Sequence, residues 1–193
     1  MEQGILDSLY QVLASPSKGL RDITKWRPRR WAMLTAVFIS LVFALTIIAY
    51  PTDFTRVVFQ LKKGSVSFVP SLILWMSVFL IALPVSAGIF HLIALLLRGR
   101  GSYLGMACGL SFAFFPLVLF APLGLLRALL GFSGIVLYDI GTVAIFFWVL
   151  ILIIIAIRQN YGFTIGRAIA TYFIPGAVVF ITLIVAAAIT LVL

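Results

Sequence analysis

The apolar positions of this chain form first a helical stripe and then blocks too long for the core of a small soluble domain. Across residues 3 to 14, Ile5, Leu6, Leu9, Val12 and Leu13 recur at helical spacing, while Gln3, Asp7, Ser8 and Gln11 take the other side. The pattern predicts a short amphipathic helix lying in the membrane interface, stopped by Ser15-Pro16. Lys18 to Arg30 then holds six Lys or Arg against one Asp, with Trp26 and Trp31 as interfacial anchors. Residues 1–30 thus read as one amphipathic and basic segment, and 31–193 as a membrane domain.

The apolar blocks predict five transmembrane helices, approximately 31–50, 71–97, 103–121, 135–157 and 168–193. Thr35, Ser40 and Thr46 in the first are expected to return their hydroxyl hydrogen bonds to the helix backbone. Proline removes a backbone donor and crowds the preceding turn, so kinks are expected at Pro84, Pro116, Pro122 and Pro175. Residues 51–68 read as an extramembrane loop with an interfacial helix around Phe54 to Leu61, and Pro122 to Leu130 as an interfacial turn or half-inserted helix. Arg98-Gly99-Arg100-Gly101-Ser102 makes a tight basic corner between spans 2 and 3, a reversal that its glycines are expected to permit.

Composition agrees with this pattern. The 193 residues are 64% hydrophobic and 10% charged, against about 25% charged in soluble domains. The fold class is therefore all-α, a polytopic integral membrane protein. The first strong apolar run begins at Trp31 and lacks a small-x-small cleavage site, so it is expected to be retained as a span. The net charge of +9 sits beside span ends. That placement points to anionic lipid headgroups rather than nucleic acid.

Charge also sets the expected orientation. With the N-terminus in the cytoplasm, Lys18, Arg21, Lys25, Arg27, Arg29, Arg30, Arg98, Arg100, Arg158 and Arg167 face inward, against Arg56, Lys62, Lys63 and Arg127 outside. Five spans then leave the C-terminus outside, in a membrane expected to be the bacterial cytoplasmic (inner) membrane.

Small residues mark helix packing: Gly101, Gly105 and Gly109 on span 3, Ala82 and Ser86 on span 2, and Gly162 and Gly166 before span 5. Without a hydrophobic drive between helices in lipid, close backbone approach carries association, and packing of spans 2, 3 and 5 or of two copies is expected. His91 in span 2 and Asp139 in span 4 are the polar candidates, with Arg127 as the expected neutralising partner of Asp139. One His and one Cys108 give no zinc or other transition-metal cluster and no intramolecular disulfide. No catalytic motif is found, and no catalytic, cofactor-binding or metal residue is assigned.

Three stretches carry a family resemblance: Ser15-Pro16 with the following KGLRDI, the block HLIALLLRGRGSYLGMACGLSFAFFP, and the late YGFTIGRAIA. On these the chain resembles the Yip1 family, specifically its small prokaryotic members, over nearly its whole length. His91, Gly99, Gly101 and Pro116 match the family pattern. The resemblance implies five membrane helices with a cytoplasmic N-terminus; eukaryotic members take part in vesicle trafficking and associate with small prenylated GTPases and with one another. The expected function is non-enzymatic: membrane organisation, trafficking-like roles or partner recruitment, with anionic lipid, a second copy or another membrane protein as partner. The alternative is a small transporter, channel or lipid-translocating protein with a route near His91 and Asp139.

Overall fold

The computed structural model describes residues 5–26, 28–50 and 68–192, with side chains described over 7–26, 28–50 and 68–186. Arg27, Arg56, Lys62, Lys63 and the helix expected around 54–61 lie outside the described residues. The described elements, in chain order, are α1 (Ile5–Ala14), α2 (Pro16–Trp26), α3 (Arg29–Ala49), α4 (Phe68–Leu96), α5 (Tyr103–Ala113), a 3-10 turn (Phe115–Leu119), α6 (Phe120–Leu129), α7 (Gly131–Tyr161) and α8 (Ile165–Val192). Five stretches are long and apolar enough to cross a bilayer: α3, α4, the continuous run Tyr103–Leu129, α7, and Ile165–Ala186 of α8. The chain is an all-α integral membrane protein.

The first helix ends at Ala14, as the Ser15-Pro16 stop predicts; beyond that expectation, Pro16 opens a second helix, α2. Proline is suited to that slot, because its missing N–H is among those a helix start leaves unbonded anyway. The Ser15 carbonyl accepts from the amides of both Lys18 and Gly19 at 3.0 Å, joining α1 to α2 without a loop. A Cβ at Gly19 would stand 2.7 Å from the Gln11 carbonyl carbon, so the two helices touch backbone to backbone.

Beyond residue 121 the helical run goes on to Leu129 as α6, over the stretch read as an interfacial turn or half-inserted helix. Around Pro116 the α-helical bonding gives way to the 3-10 turn, and α6 resumes along the same run. Pro122 is the third residue of α6, inside the first turn, where it removes no intrahelical hydrogen bond. The two prolines are therefore absorbed within one broken span. Gly131, at φ 55°, then turns the chain into α7.

Span 3 lies at the centre. Of its most apolar stretch 61% is buried, against 39% for α3, 33% for α7, 17% for α4 and 11% for α8. Met106, Leu110 and Phe112 of α5 are fully enclosed. An aromatic cluster ties the neighbours to it: Phe79 lies 5.8 Å from Phe114 and 6.1 Å from Phe43, and Phe43 lies 6.3 Å from Phe120. Helix hydroxyls are satisfied locally, with Thr35 donating to the Trp31 carbonyl, Ser40 to Val37 and Thr46 to Val42 at 2.7 to 2.8 Å.

α8 is peripheral, touching α4 and α7 and stacking Tyr172 on Phe90 at 5.8 Å. Phe112→Ala, which opens a cavity at the centre, is expected to lower stability by about 3 kcal/mol. Phe180→Ala, on the exposed side of α8, should leave it nearly unchanged. Unfolding curves of both variants in one mild detergent check this.

Candidate functional site at the basic corner

The ends of α4 and α7 and the starts of α5 and α8 meet at one end of the bundle, where α2 also docks. α4 closes with a doubled hydrogen-bond cap, the Gly99 amide donating to the Ala94 carbonyl at 2.8 Å and the Arg98 amide to Leu95 at 2.9 Å. That cap needs a left-handed residue, a position in which glycine is usual. Here it is Arg98, at φ 59°. The left-handed backbone of the reversal thus comes from Arg98, and the glycines permit the corner in another way. Gly99 supplies room instead: a Cβ there would stand 2.7 Å from the Phe163 ring. The neighbouring cap on α7 uses Gly162 at φ 68°, with the Phe163 amide donating to the Arg158 carbonyl at 3.1 Å.

Ser102 then caps α5, its Oγ accepting from the Gly105 amide at 3.0 Å. Its carbonyl accepts from Asn160 Nδ2 at 2.9 Å, which fastens the corner to the end of α7. One turn earlier on α7, Ala156 faces the same helix. The Gly101-Gly105-Gly109 face runs along these contacts: a Cβ at Gly101 would strike Tyr161, one at Gly105 would strike Asn160 Oδ1, and one at Gly109 would stand 3.3 Å from the Ala156 Cβ.

The same glycines seat α2. The Cβ positions of Gly105 and Gly109 lie 2.9 Å from the Thr24 carbonyl oxygen and 3.2 Å from the Thr24 Cγ2. The sequence pointed this face toward spans 2 and 5 or a second copy; the structure fills it with span 4 and the N-terminal helix. Leu20, Ile23 and Thr24 of α2 are consequently buried, while Lys18, Arg21, Lys25 and Trp26 remain exposed.

His91 Nδ1 and the Tyr161 hydroxyl share a hydrogen bond 2.8 Å long, joining span 2 to span 4. Tyr103 stands edge-on to the His91 ring at 6.2 Å and donates its hydroxyl proton to the Pro84 carbonyl at 3.3 Å. Arg98 and Arg100 are exposed or nearly so beside this cluster. Ser102, Tyr103, Asn160, Tyr161 and Thr24 were not singled out from the sequence. The signal for one of them was present: Ser102, immediately before an apolar helical run, is of the type preferred as an N-cap.

The other polar candidates lie elsewhere. Arg127 and Asp139 are at the opposite end of the bundle, where the Arg127 guanidinium sits 5.1 Å over the Tyr138 ring. Asp139 is exposed, and no ion pair joins it to Arg127 among the described residues. Ala82 is exposed, and Ser86 faces the α4–α8 cleft while Ala87 takes the buried position beside it. Gly166 has open space where a Cβ would stand. Pro84 and Pro175 lie inside α4 and α8. No cluster of three metal-ligating side chains occurs among the described residues.

In comparison with known proteins, the model of the Yip1 domain matches residues 10–187. No curated protein and no solved structure matches the chain.

Arg98 in a glycine position makes a sharp prediction. Arg98→Gly should raise stability by about 1 kcal/mol, by removing the strain of a left-handed side-chain-bearing residue. A thermal unfolding midpoint equal to or below that of the wild type would show that the Arg98 side chain contributes more to the fold than its backbone costs.

Proposed function

The chain belongs to the Yip1 domain family, and on that footing we propose that it works without catalysis, as a membrane-organising protein whose basic face gathers anionic headgroups and recruits a membrane-protein partner or a second copy. The observation that carries this reading is the docking of α2. Burial of Leu20, Ile23 and Thr24 holds the helix so that Lys18, Arg21, Lys25 and Trp26 face outward at the end that also bears Arg98, Arg100 and Arg167. Each basic residue held near an anionic surface contributes about 1 kcal/mol of attraction, screened by salt. Arg98 supports the reading independently. A residue kept in strained backbone where glycine would be easier is a reason to look for a use of its side chain.

The positive-inside bias favours a cytoplasmic position for this end and the N-terminus, with the C-terminus outside, and the membrane proposed is the bacterial inner membrane. α1 then lies in the interface, and Pro84 and Pro175 bend the spans that contain them. The glycine seam is filled by the chain's own helices, so a partner is met on other faces. A route for solutes draws little support from its two nominated residues: His91 is engaged by Tyr161, and Asp139 lies at the opposite end of the bundle.

The test reconstitutes the fluorescently labelled protein in vesicles of phosphatidylcholine with a minor fraction of phosphatidylglycerol. Energy transfer to labelled phosphatidylglycerol should exceed transfer to labelled phosphatidylcholine, and the excess should fall several-fold in the triple variant Lys18→Gln, Arg21→Gln, Lys25→Gln and in high salt. Equal transfer to both lipids would contradict headgroup gathering. Solute flux or lipid scrambling above that of empty vesicles, lost in His91→Ala or Asp139→Asn, would establish the transport reading instead.

A further inference from the structure

A cleft of about 390 Å³ opens between α3, α4 and α5, on the side of span 3 away from the seam. Its floor is made of small buried side chains, Ala32 and Ala36 from α3 and Cys108 and Ser111 from α5, with Leu83 from α4. Its rim is apolar and exposed, Met33 and Val37 standing on either turn of α3. Among the described residues, Arg29 is the one basic side chain in its lining, and no acid lines it.

The cleft has a direction. Arg29 begins α3 at the basic end, and Val37 lies eight residues further on, roughly 12 Å deeper at 1.5 Å per residue. Leu104 of α5 borders the shallow part, Ser111 the deep part. The cleft therefore descends from the interface into the hydrocarbon region and is open on its side.

Its chemistry selects hydrocarbon below and negative charge above. The Ser111 hydroxyl donates to the Ala107 carbonyl at 2.9 Å, so the floor presents a polar group that is already satisfied. An unfilled cleft would deny its lining the dispersion contacts that a packed helix interface provides. At the mouth, Arg29 supplies a donor fork suited to a phosphate, and the first turn of α3 has no side-chain cap on its amides.

We infer that this cleft holds one anionic glycerophospholipid, with an acyl chain against Ala32, Ala36 and Ser111 and the phosphate at Arg29. This builds on the headgroup-gathering role proposed above, narrowing a diffuse attraction to one ordered site. It differs from that role in needing the cleft and not the exposed face of α2.

Native mass spectrometry separates the two. The protein is taken from nanodiscs containing equal phosphatidylglycerol and phosphatidylcholine into mild detergent, and the retained lipid is read from the mass. The wild type should keep one phosphatidylglycerol. Ala36→Leu, which fills the floor, should lose retained lipid of both kinds, while Arg29→Gln should keep a lipid but with its preference for phosphatidylglycerol reduced about fivefold. Arg29 is exposed, so its replacement tests the site even if Ala36→Leu folds poorly.

The Lys18→Gln, Arg21→Gln, Lys25→Gln variant should keep the single lipid, even where its energy-transfer excess has gone. Loss of the retained lipid in that triple variant would assign it to the α2 face and overturn the site. Wild type with no retained lipid would also overturn it, as would unchanged preference in Arg29→Gln. A dimer mass abolished by Ala36→Leu would show a second copy in the cleft rather than a lipid.

Discussion

The architecture depends on how closely three helices approach at Gly105 and Gly109. In lipid, apolar side chains gain little by leaving hydrocarbon for one another, so helices associate through close contact and shared hydrogen bonds. The glycines of α5 leave no side chain between its backbone and either Thr24 on one flank or Asn160 and Ala156 on the other. Asn160 uses that proximity to donate to the Ser102 carbonyl, and Ser102 caps the helix that carries the glycines. Packing and capping are thus one arrangement, and a bulky residue on this face would undo both.

The basic end inherits its form from that contact. α2 has enough apolar residues to bury one face, and the seam gives it a place to do so without a membrane span of its own. Its cations are held beside those of the corner by a packed helix. The Arg98 cap belongs to the same end: a glycine would close α4 with less strain, while arginine adds a charge at the point where span 2 emerges. On the other flank of span 3 the small residues of α3 leave the lipid-facing cleft, so the central helix organises packing on one side and leaves space on the other.

Much of this was legible from residue order. The long apolar blocks gave five spans, and the local return bonds of Thr35, Ser40 and Thr46 follow from hydroxyls with nothing else to bond in hydrocarbon. What was missed was specific. Pro16 does stop α1, as read, but the helix it opens went unread, because only the burial of Leu20 and Ile23 reveals it. A short helix over Pro122 to Leu130 was anticipated, but the 3-10 turn that links it to α5 was not, because that turn has no composition of its own. The glycine face was visible; its occupants were not, because spacing identifies a surface open to close approach without saying what approaches. Arg98 ran against local rule, since Gly99 beside it was the residue a sequence reading would place in the left-handed cap.

The most direct measurement of the seam's role is amide hydrogen exchange across α2 in nanodiscs, comparing the wild type with Gly109→Leu. Docking against α5 predicts protected amides from Leu20 to Thr24 in the wild type, and loss of that protection in the variant while the amides of α8 are unaffected. Protection across α2 that is the same in both proteins would show that the helix is held by something other than the glycine face, and would contradict the account.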